Sequence, residues 1–169
     1  NEINSTTPKL LTQKSLTPSP APQRASVKTV KSRIEKMKDQ LSIGLSNYLN
    51  EFSALPSFEQ LRNVGYGVGF THVDALTLYM TIRQLKPKRH IEVGSGLSTY
   101  YCSLAAEKNA SEGYPLEITC IEPNPYEKLY QIPGIQIIAK EVQDVELSVF
   151  QQLKENDILF IDSSHMAKI

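Results

Sequence analysis

The chain has 169 residues, in which 18 lysines and arginines balance 18 aspartates and glutamates. This length suits one domain with a tail, and zero net charge argues against a nucleic-acid partner held by a general basic surface. Only two cysteines occur, and no apolar run approaches the roughly 20 residues of a membrane-spanning helix. We therefore expect a cytoplasmic protein with reduced thiols and no membrane partner.

The first 25 residues carry four prolines among serines, threonines and lysines. Such a composition buries too little apolar surface to offset the entropy lost on ordering, so residues 1–25 are predicted to be disordered. The basic excess of this region favours a solvated linker, and contact with an anionic partner is the alternative interpretation.

Residues 26–60 are predicted to form an N-terminal helical segment. From Val27 onwards apolar residues recur at steps of three and four, and Gly44 is expected near the end of the helix or at a break. The apolar face is expected to pack on the same domain or on a second copy of the chain.

A glycine-rich stretch, residues 64–70, precedes a second predicted helix over residues 73–85, which Pro87 ends. Three glycines placed between aromatic side chains favour either a mobile lip over a pocket or an ordinary loop that needs glycine to turn.

Residues 89–99 read as a buried strand, a glycine turn and the start of a helix. Ile91 and Val93 suit a strand covered on both faces. Gly94 and Gly96 allow a sharp turn and close approach of a ligand. This pattern is typical of the first βα unit of a nucleotide-binding domain.

The helix after this turn is predicted over residues 100–108, with Ser98 or Thr99 as its cap. Cys102 in that helix and Cys120 in the next strand fall at apolar positions, so both are expected to be buried thiols.

The second strand covers residues 116–122 and is ended by Pro123. Glu122 should lie at the carboxyl edge of the sheet, beside the glycine turn. A carboxylate there can accept both hydroxyls of a ribose, because its two oxygens lie side by side. A solvated glutamate at a strand end is the alternative.

Two further strands are predicted over residues 134–140 and 157–162. Between them, Gln143 and Asp144 lie where an adenine edge would be read, unless Asp144 caps a short helix. The last strand delivers Asp162 to the same carboxyl edge, and His165 follows it.

These features resemble the class I S-adenosylmethionine-dependent methyltransferases. The resemblance is carried by Glu92-x-Gly94-x-Gly96, by Glu122, by Gln143-Asp144-Val145 and by Phe160-Ile161-Asp162-Ser163-Ser164-His165. It is greatest for the subgroup with the signatures Glu-Val-Gly-Ser-Gly-x-Ser-Thr and Phe-Ile-Asp-x-x-His. The similarity extends over residues 65–169, where four elements occur in the family's order. One departure is Ser98, where many members have a third glycine.

The resemblance implies an α/β fold with a Rossmann-like parallel sheet and helices on both faces, in a cofactor-binding domain over residues 61–169. It implies that Glu92 and the Gly94–Gly96 turn hold the methionine part of S-adenosylmethionine, that Glu122 holds the ribose and that Asp144 or its neighbours hold the adenine. The implied cofactor-binding set is Glu92, Gly94, Ser95, Gly96, Ser98, Glu122, Pro123, Gln143, Asp144 and Asp162.

The implied reaction is methyl transfer to an oxygen or nitrogen of a small molecule or sugar. His165 is the candidate base, with Asp162 beside it as the second catalytic residue. The alternatives are that both residues bind a metal, although two ligands are too few for a tight site, or that His165 makes a structural hydrogen bond. His72 and His90 are expected to be structural.

The family sheet has seven strands, whereas this sequence supplies four. We therefore expect either a fragment of a longer protein or a chain that pairs with another copy, since the fourth strand would expose an apolar edge. Two other functions remain open, namely an NAD-binding oxidoreductase and a catalytically silent nucleotide-binding or assembly module.

Overall fold

The computed structural model describes residues 27–61, 64–67 and 69–162. Four strands form one all-parallel sheet in the order β3-β2-β1-β4. The strands are β1 (Arg89–Val93), β2 (Glu117–Ile121), β3 (Ile135–Ile138) and β4 (Ile158–Ile161). This arrangement confirms the predicted α/β class with a Rossmann-like parallel sheet.

Five helices and two 3₁₀ turns surround the sheet in the described part of the chain. The helices are α1 (Val27–Ser53), α2 (Phe58–Leu61), α3 (His72–Leu85), α4 (Leu97–Ser111) and α5 (Leu147–Phe150), and the 3₁₀ turns are Glu127–Gln131 and Val142–Asp144. Among these residues no helix is both long and apolar enough to cross a membrane. The predicted disorder of residues 1–25 lies outside the described residues.

The two faces of the sheet are covered differently, because successive side chains of a strand point to opposite sides. Cys120 and Phe160 belong to a large core that includes α3 and α4. Ile91 and Val93 belong to a smaller cluster with Val145, against which α5 packs. Helices therefore lie on both faces, as expected.

The prediction that Gly44 ends or breaks the first helix is wrong, because α1 continues through it to Ser53. Gly44 lies where α1 packs against α3, and a Cβ atom at this position would be 2.7 Å from the side-chain oxygen of Gln84. The glycine thus leaves room for the flexible end of the Gln84 side chain, whereas Met80 Cβ would be 3.8 Å from a Cβ atom at this position. Further along α1, Phe52 is buried against the rings of Tyr79 and Tyr101.

The outer strand β4 exposes apolar side chains on the face away from α3. Leu159 is 45% exposed and Ile161 is 63% exposed. Both values are high for large aliphatic residues of a strand, and they agree with the apolar edge expected from the sequence. Cys102 and Cys120 are buried free thiols, also as expected.

His90 is fully buried in β1, with its ring stacked 6.2 Å from that of Phe160. Neither ring nitrogen has a hydrogen-bond partner among the described residues. Burial therefore lowers the pKa of His90 to about 4 from its ordinary 6.5. Since the unfolded chain binds this proton at a higher pH, the stability that neutral His90 contributes is present above pH 6.5 and is lost as the pH falls towards 4.

Replacing His90 with leucine should remove this loss, because leucine has no nitrogen to protonate and a similar volume. The free energy of unfolding of His90→Leu, taken relative to that of the wild type, is expected to rise by about 2 to 3 kcal/mol as the pH falls from 7.5 to 4.5. Urea unfolding at the two pH values measures the gain, and His72→Leu at an exposed position is the control. A difference between His90→Leu and wild type that does not change with pH would contradict this interpretation.

Candidate functional site

The carboxyl ends of β1, β2 and β4 converge at one edge of the sheet. The N–H of Gly94 donates to the carbonyl of Ile121 at 3.0 Å, and the N–H of Asp162 donates to the carbonyl of Val93 at 2.9 Å. The N–H of Glu122 likewise continues the ladder towards β3 at 3.1 Å. The glycine turn, Glu122 and Asp162 therefore follow neighbouring strands at a single edge.

Glu92 lies inside this edge rather than on it. Its carboxyl group is fully buried and accepts hydrogen bonds from Ser98 Oγ and, at 2.6 Å, from Thr99 Oγ1. The thiol of Cys120 is 3.8 Å away. Both hydroxyls come from the first turn of α4, so the carboxyl group of Glu92 joins β1 to α4 across the glycine turn.

The surroundings of Glu92 also change its acidity. Burial, and to a smaller extent the nearby charge of Asp162, raise its pKa to about 7, although the hydrogen bonds that it accepts act in the opposite direction. At neutral pH this group is accordingly close to half-ionised. Its contact with a ligand stays a prediction.

The expectation that Ser98 or Thr99 caps α4 is confirmed only in part, because Gly96 is the N-cap residue and Thr99 contributes to the cap from the first turn of the helix. Thr99 Oγ1 accepts a hydrogen bond from the Gly96 N–H at 3.1 Å. Both hydroxyls donate hydrogen bonds to the buried carboxyl group of Glu92.

Glu122 is half-buried at the end of β2. Its Oε1 atom accepts the N–H of Asn124 at 3.0 Å, across the exposed Pro123. This local hydrogen bond fixes the carboxylate at the strand end. The second oxygen, Oε2, accepts no hydrogen bond from the residues that the structure describes, and it is therefore available to a ligand.

Gln143 and Asp144 are exposed in the 3₁₀ turn that follows β3. The alternative that Asp144 caps a helix is wrong, because Glu146 occupies the cap position of α5. Val145 is buried against Val93 and Ile121 and holds this turn near the ends of β1 and β2. The two predicted adenine-reading residues thus lie beyond the carboxyl edge of the sheet.

The remaining predicted residues divide into those described and those outside the described range. Gly94 has a φ of 88°, in the left-handed region that favours glycine. Ser95 Oγ is buried without a partner in the described part of the chain. Asp162 is exposed at the end of β4, whereas His165 lies outside the described residues. Across 27–61, 64–67 and 69–162, no group of three or more metal-ligating side chains occurs.

Two tyrosines that sequence reasoning did not assign to the site flank the glycine turn. A Cβ atom at Gly96 would lie 2.6 Å from the carbonyl oxygen of Tyr66 and 3.9 Å from the ring of Tyr126. The glycine-rich stretch around Tyr66 was noticeable in the sequence as a candidate lip. Tyr126 follows Glu122 in a proline-containing link that carries no recognisable motif.

Comparisons with known proteins leave the family open. No protein-family model matches the chain, and no solved structure matches it. A stretch of 93 residues is 34% identical to an uncharacterized protein of Archaeoglobus fulgidus and covers 53% of this chain. The match spans 41% of that relative, which is less than half of its length.

Proposed function

We propose that this chain is a class I S-adenosylmethionine-dependent methyltransferase, or part of one, acting on a small molecule or sugar. One observation carries the proposal. The half-buried Glu122 carboxylate follows the strand beside the glycine turn, at the edge where open parallel sheets bind nucleosides. In this arrangement Glu122 Oε2 accepts a ribose hydroxyl, and the adenine extends towards Gln143 and Asp144.

The charges at this edge favour a cationic ligand. Glu122 and Asp162 follow the two strands that flank β1, Glu92 is the penultimate residue of β1, and each of the three carries a carboxyl group. A sulfonium and an α-ammonium group both carry positive charge and are attracted to such a site, whereas a pyrophosphate is repelled. A cation bound beside Glu92 would also favour the ionised form of that carboxyl group and so lower the pKa of Glu92.

The chemistry requires little covalent participation by the protein. S-adenosylmethionine supplies an activated methyl group, so the protein aligns the acceptor and excludes water. A hydroxyl acceptor also needs a group that removes its proton. Asp162, which follows β4 at the carboxyl edge, is the second catalytic residue that we propose, and His165, three residues further on, stays the predicted base.

Replacing Glu122 with glutamine tests the proposal. Hydrogen bonds to charged groups contribute about 1.5 to 3 kcal/mol, so Glu122→Gln is expected to weaken S-adenosylhomocysteine binding by about ten- to a hundredfold. Isothermal titration measures this loss. The matched control is Glu117→Gln, which makes the same change at the exposed, opposite end of β2.

Two results would overturn the proposal. One is binding of NAD by the wild type without binding of S-adenosylhomocysteine. The other is unchanged S-adenosylhomocysteine affinity in Glu122→Gln, since the ribose would then be bound elsewhere. A titration in which both variants lose affinity equally would also contradict a specific role for Glu122.

A further inference from the structure

A short segment of backbone, Val64–Gly67, crosses the glycine turn from outside the sheet. The carbonyl oxygen of Tyr66 lies so close to Gly96 that a Cβ atom there would be only 2.6 Å from it. On the other side of the segment, a Cβ atom at Gly67 would be 2.7 Å from the phenol oxygen of Tyr126. The segment is therefore held between the glycine turn and the link that follows β2.

The segment is anchored in the core by the ring of Tyr66 and is contacted outside the core by two further side chains. Tyr126 is 44% exposed, and its ring packs on the backbone of Gly67. Lys128 lies close to Gly65, since a Cβ atom added at Gly65 would be 3.2 Å from Lys128 Cγ. Tyr66 itself is buried, with its ring 4.9 Å from that of Tyr100. Removing the Tyr126 ring should thus loosen the backbone at Gly67 without unfolding the domain, while the Tyr66 ring remains the anchor of the segment in the core.

The Tyr66 carbonyl occupies a chemically important place. In dinucleotide-binding folds the pyrophosphate lies at this turn, where the second glycine lets the backbone approach the phosphates and the helix N-terminus attracts them. Here the partial negative charge of the Tyr66 carbonyl lies against Gly96, at the N-terminus of α4. Its partial negative charge at this helix N-terminus disfavours a phosphate there.

We propose that Tyr126 is a positioning residue that holds Val64–Gly67 across the glycine turn, so that the site takes a nucleoside without phosphate groups. This inference rests on the proposed function for its ligand, whereas the clamping of the segment is a property of the free protein. The two parts are measured separately.

Cleavage by chymotrypsin tests the clamp without any ligand. The protease cuts after tyrosine, and Tyr66 is protected in the wild type because only 8% of it is exposed. Tyr126→Ala should accelerate cleavage between Tyr66 and Gly67 by about tenfold or more, if opening of the segment limits cleavage. Tyr126→Phe, which keeps the ring, and Tyr130→Ala, at a 62% exposed position nearby, should be cut like the wild type. An unchanged cleavage rate in Tyr126→Ala would show that Tyr126 does not hold the segment.

Titration then tests the consequence for binding. If the alanine variant holds the segment in place in about a tenth of molecules, its affinity for S-adenosylhomocysteine falls about tenfold. Tyr126→Phe should restore it, and thermal unfolding should show little change in any variant. The ratio of S-adenosylhomocysteine affinity to NAD affinity should also fall in Tyr126→Ala. If cleavage is accelerated but the ratio of the two affinities is unchanged, the segment does not select against phosphate groups. If the wild type fails to bind S-adenosylhomocysteine, the proposed function is overturned, whereas the role of Tyr126 in holding the segment is not.

Discussion

Replacement of Arg83 with methionine is expected to lower the free energy of unfolding by about 3 kcal/mol, because it leaves two carboxylates and the buried Asn109 side chain without their cation. Arg83 is 3% exposed, and its Nε atom lies 2.6 Å from Glu51 while Nη2 lies 2.5 Å from Glu112. A third nitrogen donates to the amide oxygen of Asn109. Because both carboxylates retain some contact with water, the loss lies at the lower end of the range for buried ion pairs.

The size of this effect follows from what the guanidinium connects. Glu51 belongs to α1, Arg83 to α3 and Asn109 to α4, so one side chain joins three helices. The phenol of Tyr79 also donates to Glu51, and Tyr48 of α1 stacks its ring 5.1 Å from the guanidinium. Loss of the cation therefore loosens α1 from the domain.

Urea unfolding with a matched ion-pair control measures the contribution of Arg83. Lys38→Met removes a pair with Glu35 whose side chains are 66% and 68% exposed, and such pairs contribute about 0 to 1 kcal/mol. A loss in Arg83→Met no larger than that in Lys38→Met would show that the three-helix connection is not needed.

Replacing Glu92 with glutamine is expected to stabilise the protein at alkaline pH. The folded-state pKa of about 7 is raised above the ordinary 4.5, so this carboxyl group contributes most stability below pH 4.5. That contribution is lost as the pH rises towards 7, where the buried group must ionise. The free energy of unfolding of Glu92→Gln, taken relative to that of the wild type, should therefore rise by about 2 to 3 kcal/mol from pH 5 to pH 8.

Glutamine fits the contacts of Glu92 without rearrangement of the backbone. Its amide oxygen can accept the Thr99 hydroxyl, and its amide nitrogen can donate to Ser98 Oγ after that hydroxyl rotates. Denaturant unfolding across the pH range measures the gain, with Glu117→Gln as the exposed control. A Glu92→Gln difference that is the same at pH 5 and pH 8 would contradict the protonated state of the buried carboxyl group.

His90 and Glu92 oppose each other in the pH dependence of stability. Ionisation of Glu92 destabilises the fold from pH 4.5 towards pH 7, whereas protonation of His90 destabilises it from pH 6.5 towards pH 4. The two slopes have opposite sign and overlap between pH 4.5 and 6.5. Relative to the wild type, the double variant should therefore gain stability as the pH moves from about 5.5 towards either end of the range.

The sheet could be predicted from the sequence because its features are local. Ile91 and Val93 mark a strand by themselves, and short right-handed crossovers place consecutive parallel strands beside one another. The position of Glu122 next to the glycine turn followed from that order alone.

The errors arise where contacts come from distant parts of the sequence. Gly44 reads as a helix terminus until Gln84 of α3 is placed against it. Ser98 is expected from the sequence as a possible cap, whereas its hydroxyl donates to the carboxyl group of Glu92, which lies six residues earlier in the chain. Arg83 has no local feature that distinguishes it from a surface arginine, since its partners are about 30 residues away on either side.

The location of bound S-adenosylhomocysteine tests the central claim most directly. In a two-dimensional amide NMR titration of the isotope-labelled chain, the largest shift changes are expected at Gly94, Gly96, Glu122, Gln143 and Asp144. Saturable changes confined to these amides would support a nucleoside lying across the ends of β1 and β2. Saturable changes elsewhere, for example around Lys88 and Arg89 at the opposite edge, or no change at millimolar ligand, would contradict it.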